Sequence, residues 1–216
     1  TGAGAVTATR QVIIGPNGGG IDVVGGKSLV LSSGLQGTGI PEGVLTKTGA
    51  GILELAGAST RTAATIVNGG VLRLSNAGAL GDVGSSATMT NATLELVDVA
   101  LNAPVTLNNN AVLRGTGNAQ TLTTTTVASG AAVTFTTNAA TDVLRVGYST
   151  YDLTGGGGAS ALPISGPGWV VFEQDSNYVG SVTTLAASGA RLLLGSSSAA
   201  GPATNPITVG AGTPLC

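Results

Sequence analysis

Apolar and polar residues alternate along this chain in short bursts rather than in long periodic stretches. Val12-Ile-Ile14, Ile21-Asp-Val-Val24 and Ser28-Leu-Val-Leu31 come first, then Ile52-Leu-Glu-Leu55, Val71-Leu-Arg-Leu74 and Thr93-Leu-Glu-Leu96. Val105-Thr-Leu107, Val112-Leu-Arg114, Ala132-Val-Thr-Phe135 and Val143-Leu-Arg-Val146 follow. Trp169-Val-Val-Phe172, Arg191-Leu-Leu-Leu194 and Ile207-Thr-Val209 complete the series. Gly, Asn, Ser or Pro bounds most of them, so each predicts a short strand between turns. Helical periodicity is nearly absent, because Gly or Pro interrupts almost every window of a dozen residues. Glu54, Arg73, Glu95, Arg114 and Arg145 each stand between apolar neighbours. A period of two turns those charges outward and their neighbours inward.

Strands this short do not make a stable open sheet. They do make a parallel β-solenoid, in which each coil stacks its strand on the equivalent strand of the next. With about 20 residues per coil the chain holds roughly ten coils. At about 4.8 Å per rung the body is near 50 Å long. The expectation is a single all-β domain over 1–216, with a candidate loop or break near 153–167, where Gly155-Gly-Gly-Gly158 is followed by Pro163 and Pro167. Tyr148 and Tyr151 lie just before it. Asn68, Asn91, Asn108, Asn109 and Asn110 are candidates for stacked Asn turns. Glu54 and Glu95 are candidates for neighbouring coils, where like charges would repel.

Composition narrows the chemistry. Only 8% of the 216 residues are charged and 3% are aromatic, while 36 are Gly. Small and branched side chains must therefore fill the core. The net charge of −2 and the scattered Lys and Arg give no electrostatic case for a nucleic-acid partner. The absence of His removes the commonest general base and most transition-metal sites. The lone Cys216 allows no intrachain disulfide, so an intermolecular bridge or a reduced thiol are its two readings. No apolar run reaches the roughly 18 residues of a membrane-spanning helix. The chain opens at Thr1 without Met or a charged-then-apolar leader, as expected of a mature or excised segment.

Individual motifs add little catalytic chemistry. Gly25-Gly-Lys-Ser28 fails as a phosphate loop because the first required Gly falls at Ile21. Thr121–Thr126 and Thr134-Phe-Thr-Thr137 give alternating Thr, reminiscent of ice-binding faces, but Thr is a good strand residue and no regular Thr-x-Thr spacing is expected to persist over several coils. Glu173 and Asp175, with Trp169 and Tyr178 as a sugar platform, form the one plausible catalytic patch. A solvated strand end is its simpler reading. No catalytic, cofactor-binding or metal residue is therefore nominated, and no cofactor is expected.

Leu45-Thr-Lys-Thr-Gly-Ala-Gly-Ile-Leu-Glu-Leu-Ala-Gly57 and Ile66-Val-Asn-Gly-Gly-Val-Leu-Arg-Leu-Ser75 together resemble the autotransporter passenger-associated β-strand repeat. Gly49, Gly51, Leu53, Leu55 and Gly57 fit its first part, Thr60 and Thr65 its middle, and Val67, Gly70, Leu72 and Leu74 its end. Arg61 stands where the family usually has Tyr, and Ala63 where it has Gly. Both are expected in the turn region where such coils vary. A looser copy runs from Gly166-Pro-Gly168 through Asn177-Tyr178-Val-Gly180 to Leu192-Leu-Leu194. The resemblance implies a right-handed parallel β-helix, exported and displayed outside a bacterial cell. The family's membrane barrel has no counterpart in this sequence.

The expected function is that of a non-enzymatic, extracellular or cell-surface structural protein: a stalk, adhesin or matrix component. Its expected partners are copies of itself, through exposed end coils or the terminal strand Ala5–Ile14, and cell-surface or glycan contacts. Two alternatives stand beside it. One is a self-assembling subunit of an extracellular filament, and the other is a β-helical polysaccharide-acting enzyme.

Overall fold

The computed structural model describes residues 4–39, 42–82, 84–147, 152–184 and 189–211. Cys216, Tyr148 and Tyr151 lie outside them. Among the described residues every regular element is a strand, and every strand pairing is parallel. The chain winds as a β-solenoid of about nine turns.

One face of the solenoid runs its whole length. Strands Ala5–Ala8, Ser28–Leu31, Ile52–Leu55, Gly70–Leu74, Ala92–Val97, Val112–Thr116 and Thr134–Thr137 stack in order, followed by the end of Leu153–Ser165, Val179–Thr184 and Ile207–Thr208. A second face stacks Gly19–Asp22, Leu45–Thr48, Thr65–Val67, Ala87–Met89, Val105–Leu107, Thr125–Val127 and the start of Leu153–Ser165. The third face is broken. Val12–Ile14 pairs with Leu35–Gly37, and a separate sheet joins Ala100–Leu101, Asn118–Thr121, Val143–Val146, Trp169–Phe172 and Arg191–Leu194. Between these two sheets the wall is irregular chain with a few backbone hydrogen bonds, such as Thr60 N–H to Leu35 O at 3.0 Å.

The alternating strands dictate the interior. On the long face one inward column reads Leu29, Leu53, Leu72, Leu94, Leu113, Phe135 and Ile164, all but Leu29 fully buried. A second reads Leu31, Leu55, Leu74, Leu96 and Gly115. The ladder of identical leucines ends at Gly115 for a steric reason. A Cβ there would sit 2.7 Å from the Cβ of Leu144, which enters from the third face. Phe135 and Phe172 meet edge to face across the lumen, with centroids 6.0 Å apart. The turn before Gly70–Leu74 is as tightly specified. Gly70 has φ +64°, and a Cβ there would lie 2.4 Å from Gly51 O.

Two segments singled out in the sequence take definite places. The segment 153–167 is strand over Leu153–Ser165. It begins on the second face against Thr125–Val127 and ends on the long face against Phe135 and Thr136. The four glycines let it turn the corner, and its register to Val179–Thr184 shifts between Gly156 and Ala161. The segment Ala5–Ile14 is the start of the solenoid's own stack. Ala5–Ala8 pairs with Ser28–Leu31, and Val12–Ile14 with Leu35–Gly37, and among the described residues the other edge of each pairs with no strand.

Candidate functional site

The charges gather into ladders. On the outer side of the long face, Glu54, Arg73, Glu95 and Arg114 are aligned partners on successive rungs, with alternating sign. Arg73 Nε donates to Glu95 at 2.8 Å, and its Nη1 lies 3.5 Å from Glu54. Glu95 points outward yet is only 3% exposed. Its other oxygen accepts from Asn138 Nδ2 at 3.0 Å and Thr116 Oγ1 at 3.2 Å. Burial opposes its ionisation, but Arg73, Asn138 and Thr116 overcome that and hold its pKa below the ordinary carboxylate value. Burial likewise works against the Arg73 cation, and the two glutamates outweigh it, raising its pKa. Glu54 and Glu95 are thus two coils apart, with an arginine between them rather than a repulsive contact.

The structure takes Tyr178 out of the patch with Glu173, Asp175 and Trp169, and gives each of those three a partner. Glu173 is held by Arg145 Nε at 3.0 Å and Gln120 Nε2 at 3.0 Å. Asp175 accepts from Ser196 Oγ at 2.6 Å. Arg191 lies over the Trp169 ring, 5.4 Å from its centroid. Tyr178 points into the lumen with no exposed surface, and burial pushes its pKa up to about 12. A ring placed there cannot offer a platform to a sugar outside the coil. Among the described residues no group of three or more His, Cys, Asp or Glu comes together as a metal site.

Two cations lie inside. Lys47 is fully buried and donates to the backbone carbonyls of Thr48, Gly49 and Gly69 at 3.1, 3.0 and 2.9 Å. Burial lowers its pKa, with Asp22 pulling the other way. Arg61 is the largest fully buried side chain. It donates to Gly43 O at 3.1 Å, Ala64 O at 3.2 Å and Thr65 Oγ1 at 3.3 Å. Burial lowers its pKa against the pull of Glu42. Glu42 in turn accepts from the backbone N–H groups of Thr62 and Ala63, which lowers its own pKa. Arg61 lies in the irregular chain between Ile52–Leu55 and Thr65–Val67, as expected, and fills the corner of the coil from inside. Tyr178, in the looser copy, does the same thing: its hydroxyl donates to Ser181 O at 3.3 Å. In both copies the side chain bonds the carbonyl three residues ahead.

The second face carries a feature that spacing along the sequence hides. Thr46, Ile66, Thr88, Thr106, Thr126 and Thr154 are aligned partners in one outward column. Thr126 and Thr154 Oγ1 are 3.2 Å apart, and Asn108 Nδ2 donates to Thr90 Oγ1 at 2.9 Å beside the column. The repetition runs across rungs instead of along the chain. Of the Asn candidates, Asn110 donates to Asn91 Oδ1 at 2.9 Å, and both adopt positive φ. Asn109 accepts from Ala132 N–H, whereas Asn68 stands outside that ladder.

No curated protein and no solved structure matches this chain. No helix among the described residues is long and apolar enough to cross a membrane. Residues 45–74 match the Passenger-associated-transport-repeat family. Those residues span the Lys47 cage, the buried Arg61 and the Gly70 turn, and within the parallel β-solenoid they form an autotransporter passenger-like repeat.

Proposed function

We propose that this chain is a non-enzymatic scaffold of the cell surface or extracellular space, acting as a stalk or adhesin body. The observation that carries this reading is the unbroken ladder of the long face, with the passenger-like repeat built into it. Each internal coil covers its neighbours, so the body is stiff and lengthens by repetition. Glu54, Arg73 and Glu95 are tied to one another in a ladder, and the second face offers the uncharged donors and acceptors of a threonine column for glycan or surface contacts. Antibodies raised to this chain are expected to label intact source cells or their medium. Label confined to lysed cells would overturn the reading. A polysaccharide-cleavage screen is expected to find no turnover; turnover abolished by Glu173→Gln would restore the enzyme alternative.

A second reading, assembly into a filament, draws support from one observation. Val6 is aligned with the inward column of Leu29 and Leu53, yet it is 65% exposed. Among the described residues no strand pairs with the outer edge of Ala5–Ala8, and coil-on-coil stacking can continue there. Electron microscopy over a range of concentrations decides it. Rods that lengthen with concentration, and fail to do so in Val6→Asp, support stacking; short monodisperse rods throughout exclude it.

A further inference from the structure

The sequence holds two Asn-Gly pairs, Asn17-Gly18 and Asn68-Gly69, and the fold treats them differently. Both asparagines are exposed. Gly18 N–H is locked in a turn, donating to Gly15 O at 3.0 Å. Gly69 N–H lies between the strands Thr65–Val67 and Gly70–Leu74 and donates to no group among the described residues. The Asn68 side chain makes no hydrogen bond among the described residues and is exposed, so no bond has to break before it turns toward that nitrogen. The Lys47 ammonium, bound to Gly69 O at 2.9 Å, places a buried positive charge beside the same residue.

We propose that Asn68-Gly69 is a site of spontaneous covalent modification, an imide-forming switch inside the passenger-like repeat. Gly69 N gives its proton to solvent base and attacks Cγ of Asn68. A nitrogen–carbon bond forms, and the side-chain nitrogen leaves as ammonia after taking a proton. Water then adds to one of the two imide carbonyls and opens the ring. The product is aspartate at 68 or its β-linked isomer. The Lys47 charge favours the deprotonated nitrogen and the oxyanion that follows. The consequence is local: a new carboxylate beside the Lys47 cage, or an extra methylene in the backbone of the tight turn before Gly70. Asn17 is protected because its glycine must first give up a hydrogen bond, which slows it by roughly fivefold.

Gly69→Ala is a clean control. A Cβ at Gly69 meets nothing closer than Gly49 O at 3.5 Å, an ordinary contact, and its φ is not in the left-handed region. The added methyl hinders attack by the nitrogen without disturbing the turn. Asn68→Gln is a second control, since its longer arm disfavours the ring. The purified chain is incubated at mildly alkaline pH, digested and resolved by mass spectrometry with separation of the two aspartyl isomers. The expected result is ammonia loss and acid formation at Asn68, roughly fivefold or more faster than at Asn17. The difference should disappear in concentrated urea, and the reaction should slow markedly at position 68 in both variants. Equal rates at the two sites in the folded chain, a difference that persists in urea, or wild-type conversion in Gly69→Ala would overturn the proposal.

Discussion

Arg61 and Tyr178 solve one packing problem with different chemistry. Each fills a coil corner from inside and bonds the carbonyl three residues on. Tyrosine needs one acceptor, whereas the guanidinium needs several, which Gly43, Ala64 and Thr65 supply. Arg61→Tyr is therefore expected to fold with stability within about 1.5 kcal/mol of the parent. Arg61→Ala is expected to lose about 3–5 kcal/mol, because it empties the corner and strips partners from buried carbonyls. Urea denaturation of the two variants checks both. Tyr178 gives a pH signature as well. Its folded pKa, about 12, is above the ordinary value of 10.0, so the unfolded chain ionises first. Its contribution is whole below pH 10.0 and is lost as pH climbs to about 12, some 2–3 kcal/mol in all. Lys47, with its lowered pKa, acts in the opposite sense, so the test is the difference between wild type and Tyr178→Phe. Alkaline unfolding that is unchanged in the variant would contradict the buried hydroxyl. The departure at Arg61 was legible as a departure, but its burial was not. A charged residue in a Thr- and Ala-rich stretch looks like a turn until the carbonyls that receive it are placed in space.

At the scale of the strand, alternation was enough to find Ile52–Leu55, Val112–Thr116, Val143–Val146 and Trp169–Phe172, because one apolar face per strand leaves a period of two. Asn118–Thr121 and Ala87–Met89 escaped, since Ala, Gln, Asn and Thr leave too weak a contrast. Register was the harder quantity. The step between aligned rungs varies from 18 residues, Ala87 to Val105, to 29, Phe135 to Ile164. No fixed period therefore brings Glu54, Arg73 and Glu95 into line, and the threonine column is hidden for the same reason. The charge ladder makes its own prediction. Arg73→Met leaves Glu95 buried without its cation and is expected to cost about 3 kcal/mol. Arg73→Met with Glu95→Met removes both charges and should recover most of that loss. The folded pKa of Glu95 is depressed, so its contribution is present above the ordinary carboxylate range and is lost as pH falls through the folded value. Glu95→Gln should flatten that acid limb in a pH series of thermal melts. A limb unchanged by the substitution would contradict the ion pair.

At the scale of the whole molecule, stiffness and reach follow from stacking. Every internal coil buries its apolar edge against two neighbours, and the broken third face costs little because the other two ladders continue past it. The parallel stack was legible from short strands with abundant turn glycine, whereas the break in the third wall was not, because residues 56–64 and 75–86 carry no alternation to lose. The chain climbs by one rung per coil, and the outward column Thr46, Thr88, Thr106, Thr126 and Thr154 measures this directly. Spin labels are placed in pairs at Thr46 with Thr88, Thr106 or Thr154, in a Cys216→Ser background, and read by pulsed electron resonance. The predicted result is a mean distance that grows by about 4.8 Å per rung, so that the Thr46–Thr154 pair exceeds the Thr46–Thr106 pair by about 10 Å. Distances that fail to grow in that order would contradict the solenoid.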